Sequence, residues 1–208
     1  MALSCLLVEN NRRFKVACTM RLLQRIALRT LFTYIALGSL LAWSAQRRLD
    51  PEHTIFTIHV GKAGLFSMAG HEHRVAAIIN EGVLDDSGEG HISFRIDAHK
   101  LIVLPEKDQA EIQTTMQTKV LESDRFPEIH FESTTVQKLA ADRWKVEGNL
   151  TLHGQTHPVI ADVHQTGTHY EGKSTIKQTD FGIQPVSVAG GTVKVKNELV
   201  IEFSVQPR

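Results

Sequence analysis

Met116–Leu152 reads MQTKVLESDRFPEIHFESTTVQKLAADRWKVEGNLTL. Ile129–Val136 and Arg143–Leu152 alternate apolar and polar residues, and Ala140-Ala141-Asp142 breaks them apart. Period-two alternation marks strands with one buried face, and a short polar break between two of them marks a hairpin. The stretch before them is helix-like and stops ahead of Pro127, whose ring cannot continue a helix. Helix, stop, strand, turn, strand is the unit from which the rest of the chain is read.

The same alternation extends in both directions. His53–Val60 puts Phe56, Ile58 and Val60 on one face, and Gly90–Asp97 puts Ile92, Phe94 and Ile96 inward. His71–Glu81 is apolar on both faces (Val75, Ala77, Ile79 against Ala76, Ile78), which predicts a strand covered on both sides. Pro158–His164, Thr168–Gln178 and Thr192–Val205 complete the series, the last with Val193, Val195, Leu199, Ile201, Phe203 and Val205 on one face. Turns fall at Asp85-Asp86-Ser87-Gly88 and Ala189-Gly190-Gly191. Eight such strands are enough to close an antiparallel barrel, which leaves no exposed edge. Lys107–Leu121 departs from the pattern. Ile112, Met116 and Val120 recur there at helical spacing, so one amphipathic helix is predicted, N-capped by Asp108 and serving as structural support across the barrel's end or side.

Four short phrases occur in a telling order: Phe126-Pro127-Glu128-Ile129, Phe131-Glu132-Ser133, Gly148-Asn149-Leu150-Thr151 and Asp180-Phe181-Gly182-Ile183. The order resembles the YceI-like polyisoprenoid-binding family across His53–Val205. The resemblance implies an all-β, lipocalin-like eight-stranded barrel with one packed helix, holding an isoprenoid chain such as a quinone tail and performing no catalysis. Carried over to this chain, the lining would come from Phe56, Ile58, Ile92, Phe94, Ile96, Trp144, Val146, Leu150, Ile201 and Phe203. The alternative use of the same residues is to fill the barrel solidly. A greasy tunnel suffices for a prenyl chain, since each buried methylene contributes about 0.8 kcal/mol. Ser67–Arg74 (SMAGHEHR) departs from the commoner family pattern and resembles a branch with a G-H-D/E-H motif. His71, His73 and Arg74 are expected there as polar contacts at the barrel mouth.

His71 and His73 stand two apart, so both rings would leave a strand on one side. Such a pair can ligate zinc or copper if His153, His157 or Glu72 supplies a third ligand, which makes a metal-binding barrel the second functional reading. A structural or interaction module with a filled interior is the third. No resident metal or other cofactor is expected beyond a bound lipid. Ser67, His71 and Glu72 cannot form a catalytic triad from adjacent positions on one strand, and no nucleophile elbow, phosphate loop or metalloprotease helix motif is present. Catalysis is therefore not expected.

Residues 1–45 hold six Lys/Arg and one acid, so the chain's 23 residues of each sign leave 17 basic and 22 acidic beyond them, a net of −5. That sign excludes nucleic acid as a partner. Thr30–Gln46 is an uncharged apolar run of 17 residues behind Arg21, Arg25 and Arg29. It reads as a secretory signal, or as an uncleaved anchor at the short limit of roughly 17–25 residues for a span. Met20 is an alternative start. The expected organisation is a leader over residues 1–45 and one barrel over 46–208, periplasmic or extracytoplasmic, with transient membrane contact as a further expectation. Both cysteines, Cys5 and Cys18, lie in the leader, so no disulfide is available to the barrel.

Overall fold

The computed structural model describes residues 46–63, 72–188 and 193–208. The leader, Ser67, His71 and the Ala189-Gly190-Gly191 turn lie outside the described residues. Among the described residues there are twelve strands: β1 (Arg47–Arg48), β2 (Ile55–Ala63), β3 (His73–Ile78), β4 (Glu81–Asp85), β5 (His91–Asp97), β6 (Ile102–Val103), β7 (Glu128–Ala140), β8 (Arg143–Leu152), β9 (Gln155–Thr166), β10 (His169–Lys177), β11 (Ser187–Val188) and β12 (Val193–Val205). All pairings are antiparallel, in the order β1-β4-β5-β7-β8-β9-β10-β12-β2-β3-β6, with β11 beside β12.

The sheet closes through the chain itself. β3 pairs with β2 at one end of this order and β4 with β5 at the other, yet only Ile79 and Asn80 separate β3 from β4. They are two halves of one bent strand. A second seam is made by β1, which pairs with β4 on one side. On its other side Asp50 N–H donates to Gln206 O at 2.7 Å and Arg208 N–H to Arg48 O at 2.8 Å. Eight strands were expected and twelve are seen. The four extra are the split of β3 from β4 and the two-residue strands β1, β6 and β11, each too short to show an alternation.

The expectation that β3 is covered on both faces fails. Val75, Ala77 and Ile79 are buried, but Ile78 is 45% exposed on the outer face, as is Ile55 opposite it on β2. A run apolar on both sides does not by itself recruit a second layer.

One end of the barrel is a floor. Here the β8–β9 turn is His153-Gly154, with φ of 52° and 72°, the paired left-handed geometry that a two-residue hairpin needs. A Cβ at Gly154 would stand 2.7 Å from the Phe126 ring, so glycine is required both for its φ and for space. Phe126 packs on His153 (centroids 4.3 Å), and His153 Nδ1 lies 3.2 Å from Phe181 O. Phe181 and Ile183, from the 3-10 turn Gln178–Phe181 and just after it, are almost wholly buried beside Leu101, Leu121, Ile129 and Leu152. Two of the motifs that carried the sequence resemblance, those around Phe126 and Phe181, thus meet at the floor.

Helix α1 (Gln109–Thr115) runs into a single π-helical turn (Met116–Val120) along this end. Asp108 precedes it with φ of 60° and makes no side-chain cap, contrary to expectation; its carbonyl accepts from Glu111 N–H and Ile112 N–H instead. The helix is fastened by glutamines. Gln109 Nε2 donates to Val103 O (2.7 Å), Val103 N–H to Gln113 Oε1 (2.7 Å), Gln113 Nε2 to Leu101 O (2.8 Å) and Gln117 Nε2 to Ala98 O (3.0 Å). One stripe of the helix therefore satisfies backbone groups of residues 98–103, which have few ladder partners of their own.

Candidate functional site

The interior is hollow. A cavity of about 920 Å³ runs along it, near the upper end of the roughly 300–1,000 Å³ range of small-molecule sites. The burial pattern agrees. Ile58, Val60, Ile92, Phe94, Val163, Leu199, Ile201 and Phe203 point inward yet are only partly buried, whereas a filled barrel would bury them completely.

Every apolar residue singled out from sequence faces this space: Phe56 and Ile58 on β2, Ile92, Phe94 and Ile96 on β5, Trp144, Val146 and Leu150 on β8, Ile201 and Phe203 on β12. Four phenylalanines form a band around the wall, with ring centroids 4.7 Å apart for Phe56 and Phe94, 5.8 Å for Phe56 and Phe203, and 5.3 Å for Phe94 and Phe131. The band has room because Gly148 sits beneath Phe131 and Gly172 beneath Phe203. A Cβ at either glycine would strike the ring.

The helix is more than a support. Ile112, Met116 and Val120 all line the cavity, and none of them is fully buried. An amphipathic stripe looks the same in sequence whether it meets a packed core or a void, which is why the structural role was the one expected.

At the end opposite the floor, three hairpin tips form a rim: residues 86–90, 141–142 and 167–168. Asp86, Gly88, Glu89, Lys138, Ala141 and Gln165 are exposed there and border the cavity. Arg47 pairs with Asp86, and the Tyr170 hydroxyl donates to the same carboxylate at 3.2 Å. Burial, reinforced by Asp86, raises the Tyr170 phenol above its ordinary pKa, so it stays protonated and keeps its donor. Trp144 meets Tyr170 edge to face at 5.7 Å, and Lys138 Nζ stands 5.5 Å from the Trp144 ring centroid.

The polar mouth expected at His71, His73 and Arg74 is not at this rim. His73 borders the cavity near the floor, its Nδ1 2.8 Å from Glu106 Oε2. Arg74 is exposed on the outer face, because successive residues of a strand point to opposite sides and His73 has the inner one. His71 lies outside the described residues. Nor do the histidines gather. His153 packs on Phe126, and His157 meets Phe181 edge to face at 5.4 Å. Among the described residues no group of three or more His, Cys, Asp or Glu is placed to hold a metal ion. The true rim was missed in sequence because its residues come from separate hairpin tips, Tyr170 and Asp86 being 84 positions apart.

Comparison with known proteins bears on this geometry. Residues 48–206 match the model of the YceI-like domain. UPF0312 proteins of Vibrio cholerae and Shewanella baltica are 29% identical over 92 residues. That match covers 39% of this chain, and it spans about half the length of the curated relatives (47% and 48%). Among solved structures, BcnA of Burkholderia cenocepacia superposes with a TM-score of 0.52 at 18% identity, covering 76% of this chain and 98% of that one. A polyisoprenoid binding domain from Saccharophagus degradans, implicated in plant cell wall breakdown, gives 0.51 at 13% identity, covering 79% and 98%. At such identities the superpositions speak for the fold.

Proposed function

The chain belongs to the YceI-like domain family, and from that premise we propose that it is a non-catalytic carrier whose barrel takes up an amphiphile with a long, isoprenoid-like tail. The observation that carries this reading is the apolar cavity of about 920 Å³. The tail would lie along the phenylalanine band, covered by Ile112, Met116 and Val120 of the helix. The head would sit at the rim, where Lys138 can donate hydrogen bonds, the Tyr170 oxygen can accept one and Trp144 offers a flat wall. The likeness in fold to a polyisoprenoid binding domain supports the class of cargo. The apolar leader run supports action in a periplasmic or other extracytoplasmic space, reached by export or from an anchor. No step in this function requires a reacting group, since uptake is driven by removing tail methylenes from water.

Native mass spectrometry of the purified protein, followed by organic extraction, tests the proposal. A bound species of prenyl-type mass, or stoichiometric uptake of an added long-chain quinone, is the expected result. Protein that stays unliganded through incubation with quinones and prenols would overturn it.

A further inference from the structure

The most exposed large apolar side chain among the described residues, Leu139 (57% exposed), stands at the tip of the β7–β8 hairpin, on the rim of the cavity. The other exposed apolar residues lie elsewhere. Ile55 and Ile78 face each other across the outer wall, Ile102 is on β6, and Ile160 and Val200 are within long strands. Leu139 alone is held out at a mouth. Ala140 and Ala141 beside it are exposed as well; Lys138 precedes the three, and the exposed Asp142 and then Arg143 follow them, two cations against one carboxylate for a net of +1. Neither cation has an ion-pair partner among the described residues.

The tip is stiff. β7 and β8 stay paired to Ala140 and Arg143, Gln165 N–H donates to Asp142 O at 2.9 Å, and Lys138 rests over Trp144, which is itself braced by Tyr170. An apolar point of net positive charge with an aromatic side chain beneath it, kept in place at little entropic cost, has the composition that partitions into a membrane interface. The facing rim differs: Asp85, Asp86 and Glu89 offset Arg47 there, so a negatively charged surface would repel that side. We propose that the β7–β8 tip is a membrane-docking element. It inserts Leu139 into a bilayer carrying anionic lipid, while the acidic side of the rim tilts away and the cavity mouth lies at the lipid surface. This goes beyond the carrier reading and does not depend on which cargo the cavity holds.

The test reports on the tip itself, because the apolar leader can bind lipid independently. In the full chain with Cys5→Ser and Cys18→Ser, an environment-sensitive fluorophore is placed at Leu139→Cys, or at Thr168→Cys on the neighbouring β9–β10 tip as control. With vesicles of phosphatidylcholine and phosphatidylglycerol, the label at 139 should shift to shorter wavelength and be quenched by lipid-borne quenchers. The label at 168 should do neither. Arg143→Glu, which reverses a tip cation that does not border the cavity, should raise the lipid concentration needed for the 139 signal about fivefold or more, consistent with roughly 1 kcal/mol per cation near an anionic surface. Quinone uptake by this variant in detergent should be unchanged, which separates loss of docking from loss of the cavity. A label at 139 that stays in water, equal shifts at 139 and 168, or the same signal on phosphatidylcholine alone would each overturn the proposal.

Discussion

At the floor of the barrel, Phe181, Ile183, Leu152 and Leu121 are buried, and the backbone accepts two non-glycine residues with positive φ, Glu122 and His153, to bring them together. At the rim, Asp86, Lys138, Ala141 and Gln165 are exposed, and the contacts are an ion pair, hydrogen bonds such as Tyr170 to Asp86, an aromatic edge and a cation over a ring. The floor concentrates stability, and the rim spends little of it while holding the groups that can meet a ligand or a lipid surface. In a barrel closed by continuous ladders the walls transmit the order of the floor to the tips, so the rim needs no core of its own.

The largest effect that can challenge this division is at Phe181. Replacing a nearly fully buried phenylalanine by alanine leaves a cavity the surrounding ladders cannot collapse, and Phe181→Ala should cost about 3–5 kcal/mol in urea unfolding. Trp144→Ala, a half-buried rim residue, should cost well under half as much yet weaken ligand uptake. Equal losses of stability from the two variants would break the comparison.

A filled wall sharpens it. Ile201 borders the cavity at mid-height and is only partly buried, so Ile201→Trp has space to enter. Uptake of a long-chain quinone should fall about tenfold or more while unfolding free energy changes by less than about 1.5 kcal/mol. A tight core would respond with strain of about 1–3 kcal/mol instead, and that outcome would mean that the interior is packed.

The helix lies between the two regimes. Gln113→Ala removes the side-chain partner of Val103 N–H and one of the two donors to Leu101 O, the other being Gln117 Nε2 at 3.2 Å, and leaving Val103 N–H unpaired should cost about 1–3 kcal/mol. Because the opposite stripe lines the cavity, local hydrogen exchange over residues 109–120 should rise with ligand absent and be restored by ligand. Unchanged exchange would show that Ile112, Met116 and Val120 hold the helix without the glutamines.

These contrasts also explain what could be read from the sequence. Alternation reports which face of a strand looks inward, and it placed Phe56, Ile92, Trp144 and Ile201 on the cavity side. It carries no information on height, so Arg74 was assigned to a mouth when it is on the outer wall, and Asp86, Lys138 and Tyr170 went unnoticed. Nor does it say what an element meets. Nothing in the spacing of Gln109, Gln113 and Gln117 shows that they bind the backbone of residues 98–103, and Ile78 looked covered although it is not. Local spacing encodes direction; hollow and filled interiors share it.

The smallest expected effect distinguishes the ends by pH. Near the floor, the exposed His99 lies between Asp97 (2.9 Å) and Asp124 (3.1 Å), and hydrogen bonds to the two carboxylates raise its pKa above the ordinary histidine value. The same bond from His99 leads in lowering the Asp97 pKa. A histidine with a raised folded pKa stabilises fully below its unfolded value of about 6.5 and loses that contribution as pH rises through the folded value. Asp97, with a lowered pKa, stabilises above its unfolded value of about 3.9 and loses it as pH falls. The pair is therefore strongest between these limits, about pH 4 to 6.5. At the rim, Tyr170 is raised from an already alkaline value, and Asp85, lowered by the hydrogen bonds from Ser87, loses its contribution only as pH falls through the acid range, so neither gives a loss as pH rises through neutrality. Melting temperatures of the wild type and His99→Gln should separate by a small margin within that window and converge at pH 8 and above. Curves that stay parallel from acid to alkaline pH would show that the His99 bonds do not persist in solution, and would leave the floor no more pH-sensitive than the rim.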